Sequence, residues 1–140
     1  MNDPFWDDKL DKKIAAQTLE KWKKVPCELK LSDQRVKKWE LWSKNLPKNS
    51  KIALYGGGDH SIRLLDEIKH LKDSLPISFL VDRKPLTHEL EGIPVKTPEY
   101  LMKGLADFVV ISSYFYEKEI YACLLSKFDP KKILRFYELE

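Results

Sequence analysis

Cysteine, histidine and glycine are scarce in this chain of 140 residues, at two, three and five. Cys27 and Cys123 stand far apart and match no metal-ligand spacing. They read as free thiols of a reducing compartment, not as a disulfide framework or a zinc site. His70 and His88 have no partner at ligand spacing, so no metal is expected. No apolar run approaches the ~20 residues of a membrane span. The opening MNDPFWDDKLDKK lacks the apolar centre of a secretory signal. The expectation is a cytoplasmic protein without a membrane span. Charge of one sign is also lacking: 25 basic and 22 acidic residues leave +3. Split at Ser50, the first part holds 12 basic and 8 acidic residues and the remainder 13 and 14, or +4 against −1. That local excess is too small to imply nucleic acid. Repeats and low-complexity segments are absent.

What is present is a soluble globular composition, 43% hydrophobic and 34% charged, at a length that suits one domain with a real core. Residues 1–50 read as a helical extension and 51–140 as an α/β domain. Trp6, Leu10, Ile14, Leu19, Trp22 and Val25 recur at helical steps and end before Pro26. After a break near Cys27 to Leu31, Ser32 or Asp33 is the expected cap of a second helix. Its apolar side carries Val36, Trp39, Trp42 and Leu46, and Pro47 stops it. All four tryptophans fall in this segment. They either pack the helical pair onto the following domain or form a surface for a partner or a second copy.

From Lys51 the periodicity changes. KIALY is a short apolar run of the kind buried on both faces of a sheet. Ser61 to Leu71 carries Ile62, Leu64, Leu65, Ile68 and Leu71 on a helical stripe. ISFLVD is a second strand, DRKPLTHELEG a polar loop, and IPV a short third strand. Thr97 and Pro98 then mark the N-cap and first turn of a helix over Glu99 to Lys103. ADFVVIS is another strand, Tyr116 to Phe128 a helix on Ile120, Leu124 and Phe128, and KKILRFY the last strand. Alternating strands and helices imply a parallel sheet with right-handed crossovers. The expected fold is a small three-layer α/β domain, with sheet order 3-2-1-4-5 counted along the chain.

Between the first strand and its helix stand Gly56, Gly57, Gly58, Asp59, His60 and Ser61. Gly56, Gly58 and Ser61 keep the spacing G-x-G-x-x-small of a dinucleotide turn. There the first glycine permits the bend, the second admits a pyrophosphate and the third small residue lets helix and strand pack closely. Helix-start amides and the helix dipole favour an anion at such a turn. Asp82 ends the next strand, 24 residues after Gly58, where a carboxylate can hold a ribose hydroxyl. Arg83 beside it can meet a phosphate or stand in solvent. Two features depart from the pattern: Ser61 replaces the third glycine, and Asp59 brings a negative charge to the phosphate position. The alternatives are therefore a working nucleotide site and a scaffold whose site is degenerate.

Neighbouring chemistries fail on particular residues. A phosphate loop of the Gly-Lys-Ser/Thr type would need lysine after Gly58, where Asp59 and His60 stand. S-adenosylmethionine chemistry usually has an acid just before the glycines, where Leu54 and Tyr55 stand. A complete dehydrogenase needs a second domain for substrate, so no free-standing redox enzyme is expected.

YGGGDHSIRLLDEI, FLVDRKPLTHELEGIPVKTPEYL and ADFVVISSYFYEKEIYACL together resemble a Rossmann-like module of bacterial glycan biosynthesis. The stretch from Lys51 to Tyr137 is similar to the N-terminal nucleotide-sugar-binding domain of sugar O- and N-acyltransferases. It also resembles modules appended to glycan methyltransferases and glycosyltransferases. The resemblance implies a binding module for a nucleotide sugar or an NAD-like dinucleotide. Gly56, Gly58 and His60 would lie at the turn, Asp82 and Arg83 at the next strand mouth, and Ser112, Ser113 and Tyr114 beside the same crevice. The hexapeptide-repeat region that carries catalysis in the acyltransferases has no counterpart here. The catalytic half is therefore expected to be absent or supplied by another polypeptide.

No catalytic constellation emerges from the residues themselves. His60 at a helix N-terminus would tend to stay neutral and donate to a phosphate or sugar oxygen. Ser112, Ser113 and Tyr114 either contact a ligand or cap the next helix. Glu117 and Glu119 fit pairing with a helix dipole. The expectation is a non-catalytic module for a small nucleotide ligand, with a homodimer or partner enzyme engaged through the tryptophan helices. Two other readings remain: a ligand-free interaction protein on the same scaffold, and a small sugar-transferase subunit that needs a partner chain.

Overall fold

A computed structural model of the protein describes residues 28–56 and 59–138, with the side chains of Glu28, Asp59 and His60 outside the description. The expected helix from Trp6 to Val25, Cys27, Gly57 and Gly58 lie outside the described residues. The first described element is helix α1, Glu28–Asn45, which leads into strand β1, Ile52–Tyr55. Helix α2, Asp59–Ile68, precedes β2, Ile77–Val81, and a hairpin of β3, Glu89–Leu90, and β4, Ile93–Lys96. A 3-10 helix, Pro98–Lys103, leads to β5, Phe108–Ile111. Helix α3, Glu117–Leu124, a 3-10 turn at Pro130–Lys132 and β6, Ile133–Arg135, complete the order.

The strands form one sheet in the order β3-β4-β2-β1-β5-β6, parallel throughout except for the β3–β4 hairpin. Without β3 this is the order expected from the alternation of strands and helices. The polar loop expected before IPV contains a short strand: Glu89 and Leu90 pair with Pro94 and Ile93 across a turn at Glu91 and Gly92. Gly92 takes φ +83°, a conformation that favours glycine and turns the chain back on itself. An antiparallel edge of two residues leaves little backbone open to another chain.

Alternation along β1 sets the two faces. Ile52 and Leu54 face Leu31 and Trp39 of α1 and Leu64, Leu65 and Ile68 of α2. Ala53 and Tyr55 face Leu101 of the 3-10 helix and Ile120 and Leu124 of α3. All four residues of β1 are buried, as the continuous apolar run requires. Helices thus cover both faces of a mostly parallel sheet, an arrangement compatible with a Rossmann-like fold. Trp39 is 1% exposed and donates from Nε1 to Ser74 Oγ (2.6 Å). It also meets Trp42 edge-on at 6.1 Å, and Trp42 lies 5.0 Å from Phe136. These two tryptophans fasten α1 to the domain.

Several boundaries differ from expectation. α1 begins at Glu28, so Ser32 and Asp33 are not caps: ELKL is a run of good helix formers, and Leu31 is buried. Ser32 instead turns its hydroxyl sideways to Glu67 of α2. α2 starts two residues before Ser61 and stops at Ile68, so Leu71 lies beyond it. The Pro98 segment is a 3-10 helix closed by Gly104 at φ +68°. α3 spans 117–124, leaving Tyr116 and Phe128 outside it. Lys131 and Lys132 belong to the 3-10 turn capped by Asp129, whose side chain accepts from Lys131 N, and the last strand shortens to Ile133–Arg135.

Candidate functional site

The carboxyl ends of β1 and β5 meet where the connections diverge. From β1 the chain passes to α2 on one face, and from β5 to α3 on the other. In an open parallel sheet such a switch point leaves a crevice outside the strand ends, between the starts of two helices. Tyr55, Gly56, Ser112 and Ser113 stand at these strand ends, with Asp82 one strand away after Val81.

Gly56 shapes the floor of this region. Its N–H donates to Val81 O (2.9 Å), extending the ladder past the end of β1, while its φ of +130° swings the chain toward α2. A Cβ there would stand 2.3 Å from Ser112 Oγ. The glycine is therefore required on two counts, backbone conformation and room. Ser61, 0% exposed, donates to Gly56 O and lies 3.2 Å from Ser112 Oγ. Ser112, 1% exposed, donates from both its N–H (3.1 Å) and its hydroxyl (3.2 Å) to Tyr55 O. The small residue expected at position 61 lets helix and strand approach, and its hydroxyl also stitches the turn to β5.

The other expected residues divide clearly. Ser113 is buried and accepts from Tyr116 N (3.2 Å), steadying the approach to α3. Tyr114 is half-buried and packs edge-on against Tyr137 at 5.0 Å and Phe115 at 5.7 Å. Asp82 is half-buried; its N–H donates to Lys96 O (2.9 Å) and its Oδ1 accepts from Lys84 N (3.1 Å), which folds the loop that follows. Arg83 beside it is half-buried. Gly56, Ser61 and Ser112 are thus brought together, with Ser113 and Tyr114 on the adjoining loop and Asp82 and Arg83 at the neighbouring strand end. Gly57 and Gly58 lie outside the described residues; Asp59 and His60 open α2, with side chains outside the description.

Two buried polar clusters, neither expected, tie the chain after β6 to the helices on the two faces of the sheet. Glu117, 0% exposed, accepts from Tyr137 N (2.9 Å) and from Arg135 Nε (3.3 Å). Arg135 in turn lies 4.3 Å over the Tyr121 ring. On the opposite face Arg35, 3% exposed, grips Glu67 with Nε (2.7 Å) and NH2 (3.0 Å) and donates from NH1 to Tyr137 Oη (2.9 Å). The signal was available. Glu117 shares a helical stripe with Ile120 and Leu124, and Arg35 shares one with Leu31 and Trp39. A charge inside an apolar stripe must be buried with a partner.

The distinct titration shifts lie on the surface, away from this edge. Asp33 raises the Lys37 ammonium by its hydrogen bond. The hydrogen bond between Asp66 and Lys69 holds the carboxyl below its usual range and the ammonium above. Among the described residues no group of histidine, cysteine and carboxylate side chains could hold a metal ion, and no helix is long and apolar enough to cross a membrane. The chain matches no protein-family model and no curated protein at a significant level.

Proposed function

We propose that the protein is a non-catalytic nucleotide or nucleotide-sugar-binding module that uses the carboxyl-edge crevice between β1 and β5. The observation that carries this reading is the Gly56 turn at the switch point of a mostly parallel sheet, with α2 beginning at Asp59. Such a turn aims helix-start amides outward, and the dipole favours phosphate there. Asp82 retains a second carboxylate oxygen for a ribose hydroxyl, and Tyr114 offers a ring edge at the next loop. The resemblance of residues 51–137 to glycan-biosynthesis modules extends the proposal to a nucleotide sugar, with catalysis supplied by another polypeptide.

The second reading is an interaction protein that keeps the scaffold and has lost the ligand. One observation favours it: the hydroxyls of Ser61 and Ser112 and one oxygen of Asp82 already have partners inside the protein. Thermal unfolding against a panel of nucleotides and nucleotide sugars separates the two. A ligand at about 100 times its dissociation constant stabilises by about 2.7 kcal/mol, a readily visible rise in Tm. The binding reading expects a selective rise that Asp82→Ala diminishes. A flat response across the panel refutes it in favour of the interaction protein.

A further inference from the structure

The four residues from Arg135 to Glu138 fasten to α1 on one face of the sheet and to α3 on the other. Arg135 meets Glu117 and the Tyr121 ring of α3. Phe136, fully buried, lies beside Trp39 and Trp42 of α1, and its carbonyl accepts from Gln34 Nε2 (3.0 Å). Glu138 pairs with Lys38 of α1 at 3.1 Å. Tyr137 is held at three points. Its hydroxyl takes the Arg35 bond from α1, its N–H is given to Glu117 of α3, and its ring carries the edge-on contact with Tyr114.

Tyr114 belongs to the loop from Ser112 to Tyr116, which leaves β5 at the switch point and starts α3. The ring of Tyr137 is therefore the shared surface between α1, on one face of the sheet, and the loop that borders the crevice. We propose that Tyr137 is a positioning residue that couples the seating of α1 to the Ser112–Tyr116 loop at the carboxyl edge. If α1 shifts away, Arg35, a residue of α1 itself, is carried off Tyr137 Oη, and the bonds from Ser32 and Arg35 to Glu67 that hold α1 on α2 open with it. The Tyr137 ring then loses the anchor at its hydroxyl end, and Tyr114 loses its backing. The consequence for a ligand rests on the binding reading above: a molecule that orders Tyr114 also tightens α1, and a partner that draws on α1 loosens the crevice wall.

Amide hydrogen exchange of the full chain without ligand tests the coupling. Tyr137→Phe keeps the ring and removes only the hydroxyl that Arg35 holds. A hydrogen bond from a charged donor outweighs an ordinary one, so exchange is expected to rise on the order of threefold or more in α1 and at the Tyr116 amide, which Ser113 protects. The amides of Leu54 and Val110 in the central strands should keep their wild-type rates. A rise confined to α1, or one equal across the sheet, overturns the proposal, because the first shows no transmission and the second only general loosening. Gln34→Ala, which cuts the α1 bond to Phe136 O, must give the same pattern and decides the matter if Tyr137→Phe does not fold. Uridine diphosphate sugars added to the wild type then bear on the ligand consequence: binding should slow exchange in α1 as well as in the loop. Absence of binding refutes the nucleotide reading, while the ligand-free exchange pattern still decides the coupling.

Discussion

Replacing Gly56 by alanine tests the turn at its most constrained point. The new Cβ would meet Ser112 Oγ at 2.3 Å, and the backbone would be kept at φ +130°. Holding a non-glycine residue in that region costs about 1–3 kcal/mol. Relief of the clash requires the Ser112 hydroxyl to rotate, which forfeits its bond to Tyr55 O and its contact with Ser61, about 1 kcal/mol more. The sum is about 2–4 kcal/mol, or on the order of 10 °C in Tm for a chain of this length. Urea unfolding followed by far-ultraviolet circular dichroism measures it. Ser112→Ala in the Gly56→Ala background separates the two parts, since it removes the clashing oxygen and leaves the backbone strain. The double variant should be more stable than the sum of the single effects by about 1 kcal/mol. A Gly56→Ala protein within about 0.5 kcal/mol of wild type would refute the argument from conformation, and strict additivity would refute the argument from contact.

The Arg35–Glu67 pair gives a second test: Arg35→Ala should cost about 3–5 kcal/mol in the same unfolding assay, because it leaves Glu67 and the Tyr137 hydroxyl without the guanidinium. Arg35→Met with Glu67→Leu should recover most of that loss, and equal damage from both would show that the pair itself supplies the stability. At the surface, the lowered Asp66 carboxyl implies a contribution present above its unfolded value and lost as pH falls through the depressed one. Both side chains are exposed, so Asp66→Asn should leave the acid-unfolding profile almost superimposable on wild type. A clear displacement of its midpoint would mean that the ion pair matters more than its exposure allows.

The sheet is legible in the sequence because β1, most of β5 and the end of β2 are buried and therefore apolar. IALY, the end of ISFLV and FVVI cannot be mistaken for solvent-facing segments. β3 escaped because a two-residue edge strand has no periodicity to detect, and its signal lies in Gly92, outside the strand. The α1 boundary was misplaced for a different reason. Ser32 and Asp33 are good caps by type, but the tertiary partner Glu67 claimed the serine hydroxyl, and propensity upstream carried the helix on. Gly56 was legible as a turn glycine. Its contact with Ser112 was not, because it joins residues 56 positions apart. Arg35 and Glu117 were legible in principle, as charges interrupting apolar stripes, yet only the fold says which charge answers which.

The burial of these hydroxyls changes what the proposed site can use. Ser61 and Ser112 sit under the turn and fix its shape, so they have little left to offer a solute. Recognition in the crevice would therefore fall to main-chain amides at the start of α2, to the remaining oxygen of Asp82, to Arg83 and to the edge of Tyr114. Main-chain amides favour phosphate without distinguishing its bearer. Selectivity for one base or sugar would thus reside in the Asp82–Arg83 corner and in the Tyr114 loop. That loop is backed by Tyr137 and, through Arg35, by α1. On the proposed reading, the residues nearest the glycines would govern whether the turn forms, and residues distant in sequence would govern which ligand it prefers. Substitutions at Ser61 or Ser112 should accordingly lower stability and weaken all ligands alike, whereas substitutions at Asp82 or Tyr137 should alter the ranking among ligands.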